Sequence, residues 1–167
     1  MHEVLRALNR LQSDGLVSRY AIGGAIGAAF YIAAAQTEDV DAFVFLPPGS
    51  SGLVSLSPVY EALLQMGGVA EREYVRFGAW PLQILTDAND LIREAIEQAR
   101  EVAFEVIPTR IFRAEHLCAI ALQTGRSKDY LRVMMFLEQN AVDRVELRAI
   151  LARFGLIERA GRLEGIL

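Results

Sequence analysis

Tyr20-Ala-Ile-Gly-Gly-Ala25, followed at a helix-length distance by Thr37-Glu-Asp-Val-Asp-Ala-Phe-Val-Phe-Leu46, decides how this chain is read. Residues 19–22 predict a short strand that feeds a turn at Gly23 and Gly24. Adjacent glycines let a backbone turn tightly and approach a ligand, because no Cβ stands in the way. The alanine-rich apolar run 26–35 predicts a helix packed under a sheet, whose positive end, with the glycine N–H groups, would face phosphate oxygens. Residues 42–46 continue a strand that stops at Pro47-Pro48. Along it Asp39, Asp41, Phe43 and Phe45 share one face, and Val40, Ala42 and Val44 the other. Two carboxylates on one face can share a hard divalent cation that keeps open positions for substrate phosphates. A glycine turn beside such a pair points to phosphoryl or nucleotidyl chemistry.

Upstream, Val4, Leu5, Leu8 and Leu11 recur at helical spacing within residues 3–13, and Gly15 stands where a C-terminal stop belongs. Downstream, residues 49–57 form a Ser/Gly-rich loop, and 58–66 predict a helix with proline at its permitted start. Residues 72–77 and 81–85 read as a hairpin about Gly78. Residues 88–100 predict a helix, 103–107 a strand ended by Pro108, and 110–112 one more short strand. Three helices follow over 115–124, 128–139 and 144–154, the last stopped by Gly155. The order is mixed first and all-helical afterwards. The expectation is an α/β (α+β) fold: a small mixed sheet flanked by helices over 1–112, with a helical segment 113–167 packed on it as one unit.

The two stretches quoted first, together with Arg113-Ala-Glu-His-Leu-Cys-Ala-Ile-Ala-Leu-Gln-Thr-Gly-Arg-Ser-Lys-Asp-Tyr-Leu-Arg132, resemble the DNA polymerase β-like nucleotidyltransferase superfamily. Within it they are similar to small bacterial nucleotidyltransferase-like proteins that include the AbiEii toxin group. The resemblance covers residues 20–139 and implies a nucleotidyltransferase-like core. It implies Mg²⁺ or Mn²⁺ on Asp39 and Asp41, and a nucleoside triphosphate on Gly23, Gly24, Thr37, Lys128 and Asp129. The implied reaction moves a nucleoside monophosphate to a hydroxyl of RNA, protein or a small molecule. Active members carry a third carboxylate on a later strand. The corresponding strand here carries Gln83, whose amide offers an oxygen but no charge and cannot take a proton. Glu73, Asp87 or Glu105 would have to substitute. Ala25 stands where the family often has serine, which removes a phosphate contact.

The resemblance leaves two readings, an enzyme and a catalytically degenerate nucleotide-binding or toxin–antitoxin-type module. An interaction domain that binds no nucleotide is a third. Each residue also has a plainer role. The aspartates can cap the exposed start of a strand, the glycines can make a bare strand-to-helix turn, and Lys128 can be a surface residue. Ser127 or Asp129 can favour a helix start. His116 fits a capping or packing role, Trp80 hairpin packing, and Met134 to Leu137 a buried helix face.

Composition bounds the rest. A 53% hydrophobic and 23% charged chain of 167 residues can fold around a substantial core. One cysteine, Cys118, excludes an intramolecular disulfide and a multi-cysteine zinc site, and its apolar surroundings predict burial. Seventeen basic against twenty-one acidic residues give no global case for nucleic-acid binding. A local basic strip can form from Arg110, Arg113, Arg126, Lys128 and Arg132. The run 21–35, about 15 residues, falls short of the roughly 20 needed to span a bilayer. With no signal-peptide pattern at the N-terminus, a cytoplasmic location without a membrane partner is expected. A protein partner or a homodimer stays open.

Overall fold

A computed structural model describes residues 1–33, 39–48 and 55–161. Its centre is a mixed sheet of seven strands in the order β3-β4-β5-β2-β1-β7-β6. These are β1 (Arg19–Ile22), β2 (Val40–Phe45), β3 (Val69–Glu71), β4 (Tyr74–Phe77), β5 (Trp80–Thr86), β6 (Arg100–Phe104) and β7 (Ile107–Ile111). Strand β2 runs antiparallel to β1 and parallel to β5, and β1 meets β7 in parallel at Ile22 and Ile111. The mixed α/β expectation holds.

Two cores lie on the two faces of the sheet, as alternation along β2 dictates. Val40, Ala42 and Val44 join one core with Leu5, Leu8 and Leu11 of α1 (His2–Ser13) and with Val59 and Leu63 of α3 (Ser57–Gln65). Phe43 joins the other, built from α4 (Asp90–Glu97), α5 (Ala114–Thr124), α6 (Ser127–Glu138), α7 (Arg144–Arg153) and α8 (Ile157–Ala160). Helix α5 is buried almost all round, Glu115 and His116 included, because other helices and the sheet surround it. Cys118 is buried there, and burial pushes its thiol pKa up. His116, fully buried, meets Glu94 at 3.0 Å, and Arg153 donates to the other oxygen of that carboxylate at 2.5 Å. Burial lowers the His116 pKa, so the ring is neutral at physiological pH. Among the described residues no helix is long and apolar enough to cross a membrane.

Four elements differ from the sequence expectation. Of the predicted helix 26–35, residues 34 and 35 lie outside the described residues; the described part is α2, Gly24–Ala28, followed by turns over 29–33. The Tyr31 hydroxyl donates to the Phe112 carbonyl at 2.9 Å and its ring packs beside Phe136, contacts that override the helix propensity of the alanines. With only five residues, α2 aligns too few peptide dipoles to support the macrodipole argument. The helix expected over 88–100 ends at Glu97, and Arg100 already pairs with Ile111 in the β6–β7 hairpin. Pro108, expected to end a strand, lies inside β7 opposite Ala103. Its carbonyl accepts from the Asn9 side chain at 2.9 Å, on the edge away from β6. A residue's N–H and C=O point to the same edge, so the N–H that proline lacks is one the β6 ladder does not use. Residues 69–71, for which the pattern predicts no element, form β3 and pair with β4.

Candidate functional site

Strands β2, β4 and β5, with the Gly24 turn that follows β1, face a cleft of about 1300 Å³ that α5 and α6 wall on the other side. Asp39, Asp41 and Gln83 line it, and so do Gly24, Lys128 and Asp129. The register sets their order. Gly23 N–H donates to the Asp41 carbonyl at 3.0 Å, and Asp41 lies directly beside Gln83 on β5. Strands β4 and β5 pair Val75 with Leu82, so one more step along this antiparallel ladder sets Tyr74 beside Gln83. Gly23, Asp41, Gln83 and Tyr74 thus form one row across four strands.

The two glycines answer to neighbours within the chain. A Cβ on Gly24 would stand 2.0 Å from the Asp41 carboxylate, at a φ of +55° that L side chains rarely adopt. A Cβ on Gly23 would strike the rings of Phe43 and Phe112, which pack 4.8 Å apart between centroids. The doublet therefore seats Asp41 against the backbone and closes the floor beneath it.

Electrostatics in the cleft are polarised. Burial, and then the charge of Asp39, raise the Asp41 pKa from 3.8 to about 6, against the opposing pull of Arg132, Arg126 and Lys128. Tyr74 on the other flank is also raised, by partial burial first and then by Asp39, Glu73 and Asp41. The acids therefore lie between a basic wall on α6 and an aromatic wall on β4 and β5. On α6, Asp129 is 1% exposed. The Arg126 guanidinium grips it through Nε at 2.7 Å and Nη2 at 3.2 Å, and Arg132 stands 3.6 Å away. Asp129, expected at a nucleotide, lines the cleft and holds two arginines at its rim. Lys128 is exposed beside it and is the only lysine in the sequence.

Thr37 lies outside the described residues. The basic strip divides: Arg110 binds Gln12 and Glu101 at 2.9 Å each, and Arg113 pairs with Glu115 at 3.3 Å. Arg126, Lys128 and Arg132 line the cleft. None of the substitute acids lines it. Asp87 pairs with Arg93 and Glu105 with His2, both at 2.8 Å, while Glu73 is exposed at the β3–β4 turn. Among the described residues no group of three metal-ligating side chains is present. The donor set that does converge, two carboxylates beside an amide oxygen, suits a hard oxygen-seeking cation. Among the described residues no cation stands within salt-bridge distance of Asp41. Sequence reasoning passed over Tyr74, although a two-residue turn at Gly78-Ala79 already sets it opposite Gln83.

No protein-family model matches the chain, and no curated protein does. Solved structures do. An antigenic nucleotidyltransferase-like protein from Paracoccidioides brasiliensis aligns with a TM-score of 0.60 at 14% identity, covering 98% of this chain and 89% of its own. The antibiotic-resistance factor ANT(2'')-Ia, in its solution structure, aligns with a TM-score of 0.54 at 14% identity over 98% of this chain and 95% of its own. Its crystal structure in complex with adenylyl-2''-tobramycin gives 0.58 at 14% identity over 90% and 94%. At such identities the likeness is one of architecture: the chain has the nucleotidyltransferase-like fold.

Proposed function

We propose that the chain binds a nucleoside triphosphate in the cleft with Mg²⁺ or Mn²⁺ and transfers its nucleoside monophosphate to a hydroxyl acceptor. One observation carries this reading: a half-buried carboxylate, Asp41, shares a cleft with Asp39, Gln83 and a basic wall of Arg126, Lys128 and Arg132. Asp39 and Asp41 would hold the cation, and Gln83 would add a neutral oxygen. The cation, when bound, supplies charge neutralisation at phosphoryl oxygens. Arg126 and Arg132, fixed by Asp129, offer planar donor pairs to phosphate, and Lys128 a mobile point charge. These groups hold the triphosphate in line with an acceptor and stabilise the leaving pyrophosphate, which is most of what such a transfer requires. The acceptor's proton leaves to water, because Gln83 cannot take it.

Gln83 in place of a third acid favours a second reading, a nucleotide-binding module with little or no transfer. It could serve as one half of a toxin–antitoxin-type pair, as the likeness to the AbiEii group implies. One assay separates the two. The protein is incubated with each labelled triphosphate, Mg²⁺ or Mn²⁺ and total RNA, protein or small-molecule extract. Binding is followed by acylation of Lys128, since no other side-chain amine is present. The transferase reading expects metal-dependent label transfer that Asp41→Asn abolishes and Gln83→Glu raises at least about tenfold. Triphosphate protection of Lys128 without transfer in any arm selects the binding module. No protection by any triphosphate rejects both.

A further inference from the structure

The aromatic flank of the cleft continues around the end of α2 into a second pocket of about 220 Å³. Met1 with its α-amino group, Leu5 of α1, Ile22, Phe30 and Phe104 wall it, and it shares Ile26, Ala29 and Trp80 with the cleft itself. Those side chains carry no charged group, and an apolar cavity of about 150 Å³ already suffices for benzene. The pocket therefore has room for one ring and a short chain. Trp80 stands at the junction, half-buried, three residues along β5 from Gln83.

Charge narrows what can enter from this side. The carboxylates among the described lining residues of cleft and pocket are Asp39, Asp41 and Asp129. On the reading above, the first two are taken by the metal. Asp129 is engaged by Arg126 and Arg132. A polycationic acceptor would meet Arg126, Lys128 and Arg132 with no acid left to pair its amines. A neutral molecule with a ring-sized apolar body meets no such penalty, and burying that body gives about 25 cal/mol per Å².

We propose that this pocket is the acceptor subsite, and that it takes the apolar body of a neutral hydroxyl compound whose hydroxyl emerges past Trp80 and Ala29 toward Asp41. The inference rests on the transferase reading. In the step it serves, the acceptor oxygen forms a bond to the α-phosphorus of the triphosphate. The bond from that phosphorus to the bridging oxygen breaks, pyrophosphate leaves with the electron pair, and the acceptor's proton passes to water.

Trp80 is the only tryptophan of the chain, so its emission reports on this junction alone. The experiment titrates the full chain with 3-phenyl-1-propanol, and in parallel with a polycationic aminosugar, while following Trp80 emission. Separate samples follow acylation of Lys128 with and without each triphosphate and Mg²⁺. Mass spectrometry then looks for the nucleotidylated phenylpropanol. The expected result is a saturable response to the ring alcohol and none to the aminosugar. In Phe30→Asp, at a partly exposed wall position, the ring alcohol should bind about tenfold or more weakly. Ile26→Asn serves as the second variant if that one fails to fold. Triphosphate protection of Lys128 without any ring-alcohol response overturns the subsite and leaves the transferase reading standing. So does a response that survives both wall substitutions, or a stronger one to the aminosugar. A ring-alcohol response with no triphosphate protection overturns the transferase reading and the acceptor role with it.

Discussion

The Asp41 carboxyl has the Gly24 backbone behind it, Gln83 beside it and the charge of Asp39 close by, and these surroundings raise its pKa from 3.8 to about 6. Such a placement suits a group that waits for a cation and ill suits one that serves the fold. Between pH 4 and 6 the folded chain keeps a proton on Asp41 that the unfolded chain has released. Stability in the absence of metal therefore falls as pH rises through that window and stays level, as far as Asp41 is concerned, above it. A rise of this size corresponds to roughly 3 kcal/mol. Asp41→Asn removes the penalty, so the variant should gain about 2 kcal/mol at pH 7.5 and nothing at pH 4. Urea denaturation at the two pH values measures this, and equal midpoints for the variant and the original chain at pH 7.5 would disprove it. This residue pair was legible in the sequence because alternation along β2 leaves both acids on the Phe43 face. The reason for Gly24 was not. Only the folded register shows that the nearest atom to its absent Cβ belongs to Asp41 itself.

At the scale of elements, α6 presents the basic wall, and Asp129 decides its shape. The sequence marks Lys128 and Asp129 as a helix start, but nothing local says that Asp129 is buried or that Arg126 and Arg132 converge on it. That follows from how α6 packs on α5. Burial explains the other misreadings as well. The alanine-rich run has helix propensity, yet Tyr31 is drawn to the Phe112 carbonyl and α2 stops at Ala28. Pro108 looks like a terminator only if the unused edge of β7 is unknown. Asp129→Asn keeps the shape of the side chain and removes its charge. Arg132, whose side chain is largely buried, then loses its partner, while the mostly exposed Arg126 can turn to solvent. Breaking a fully buried pair costs about 3–5 kcal/mol, so this half-exposed one should cost roughly 2. The urea midpoint should fall accordingly, with the slope unchanged. A loss under about 0.5 kcal/mol would mean that the arginines are held by something else.

In the whole molecule the cleft joins elements that are distant in sequence: β2, β4 and β5 from the sheet, and α5 and α6 from the helical layer. A ligand bound there touches both layers, so its binding free energy stabilises the fold as a unit. A triphosphate with Mg²⁺ at about 100 times its Kd adds about 2.7 kcal/mol. For a chain of this size, each kcal/mol raises Tm by about 2–4 °C, so the shift should be roughly 5–10 °C. Mg²⁺ alone, with two carboxylates and no phosphate oxygens to complete its shell, should move Tm by less than about 2 °C. Asp41→Asn gives the sharper comparison, because its baseline and its response should move in opposite directions. At pH 7.5 its Tm without ligand should exceed that of the original chain, and its increment with Mg²⁺ and triphosphate should fall by at least half. Calorimetric melts of both proteins, with and without the ligand pair, test this directly. A variant that is more stable and still gains the full increment would show that the triphosphate binds without Asp41. The acid pair would then belong to the fold's electrostatics and the binding site to the basic wall alone.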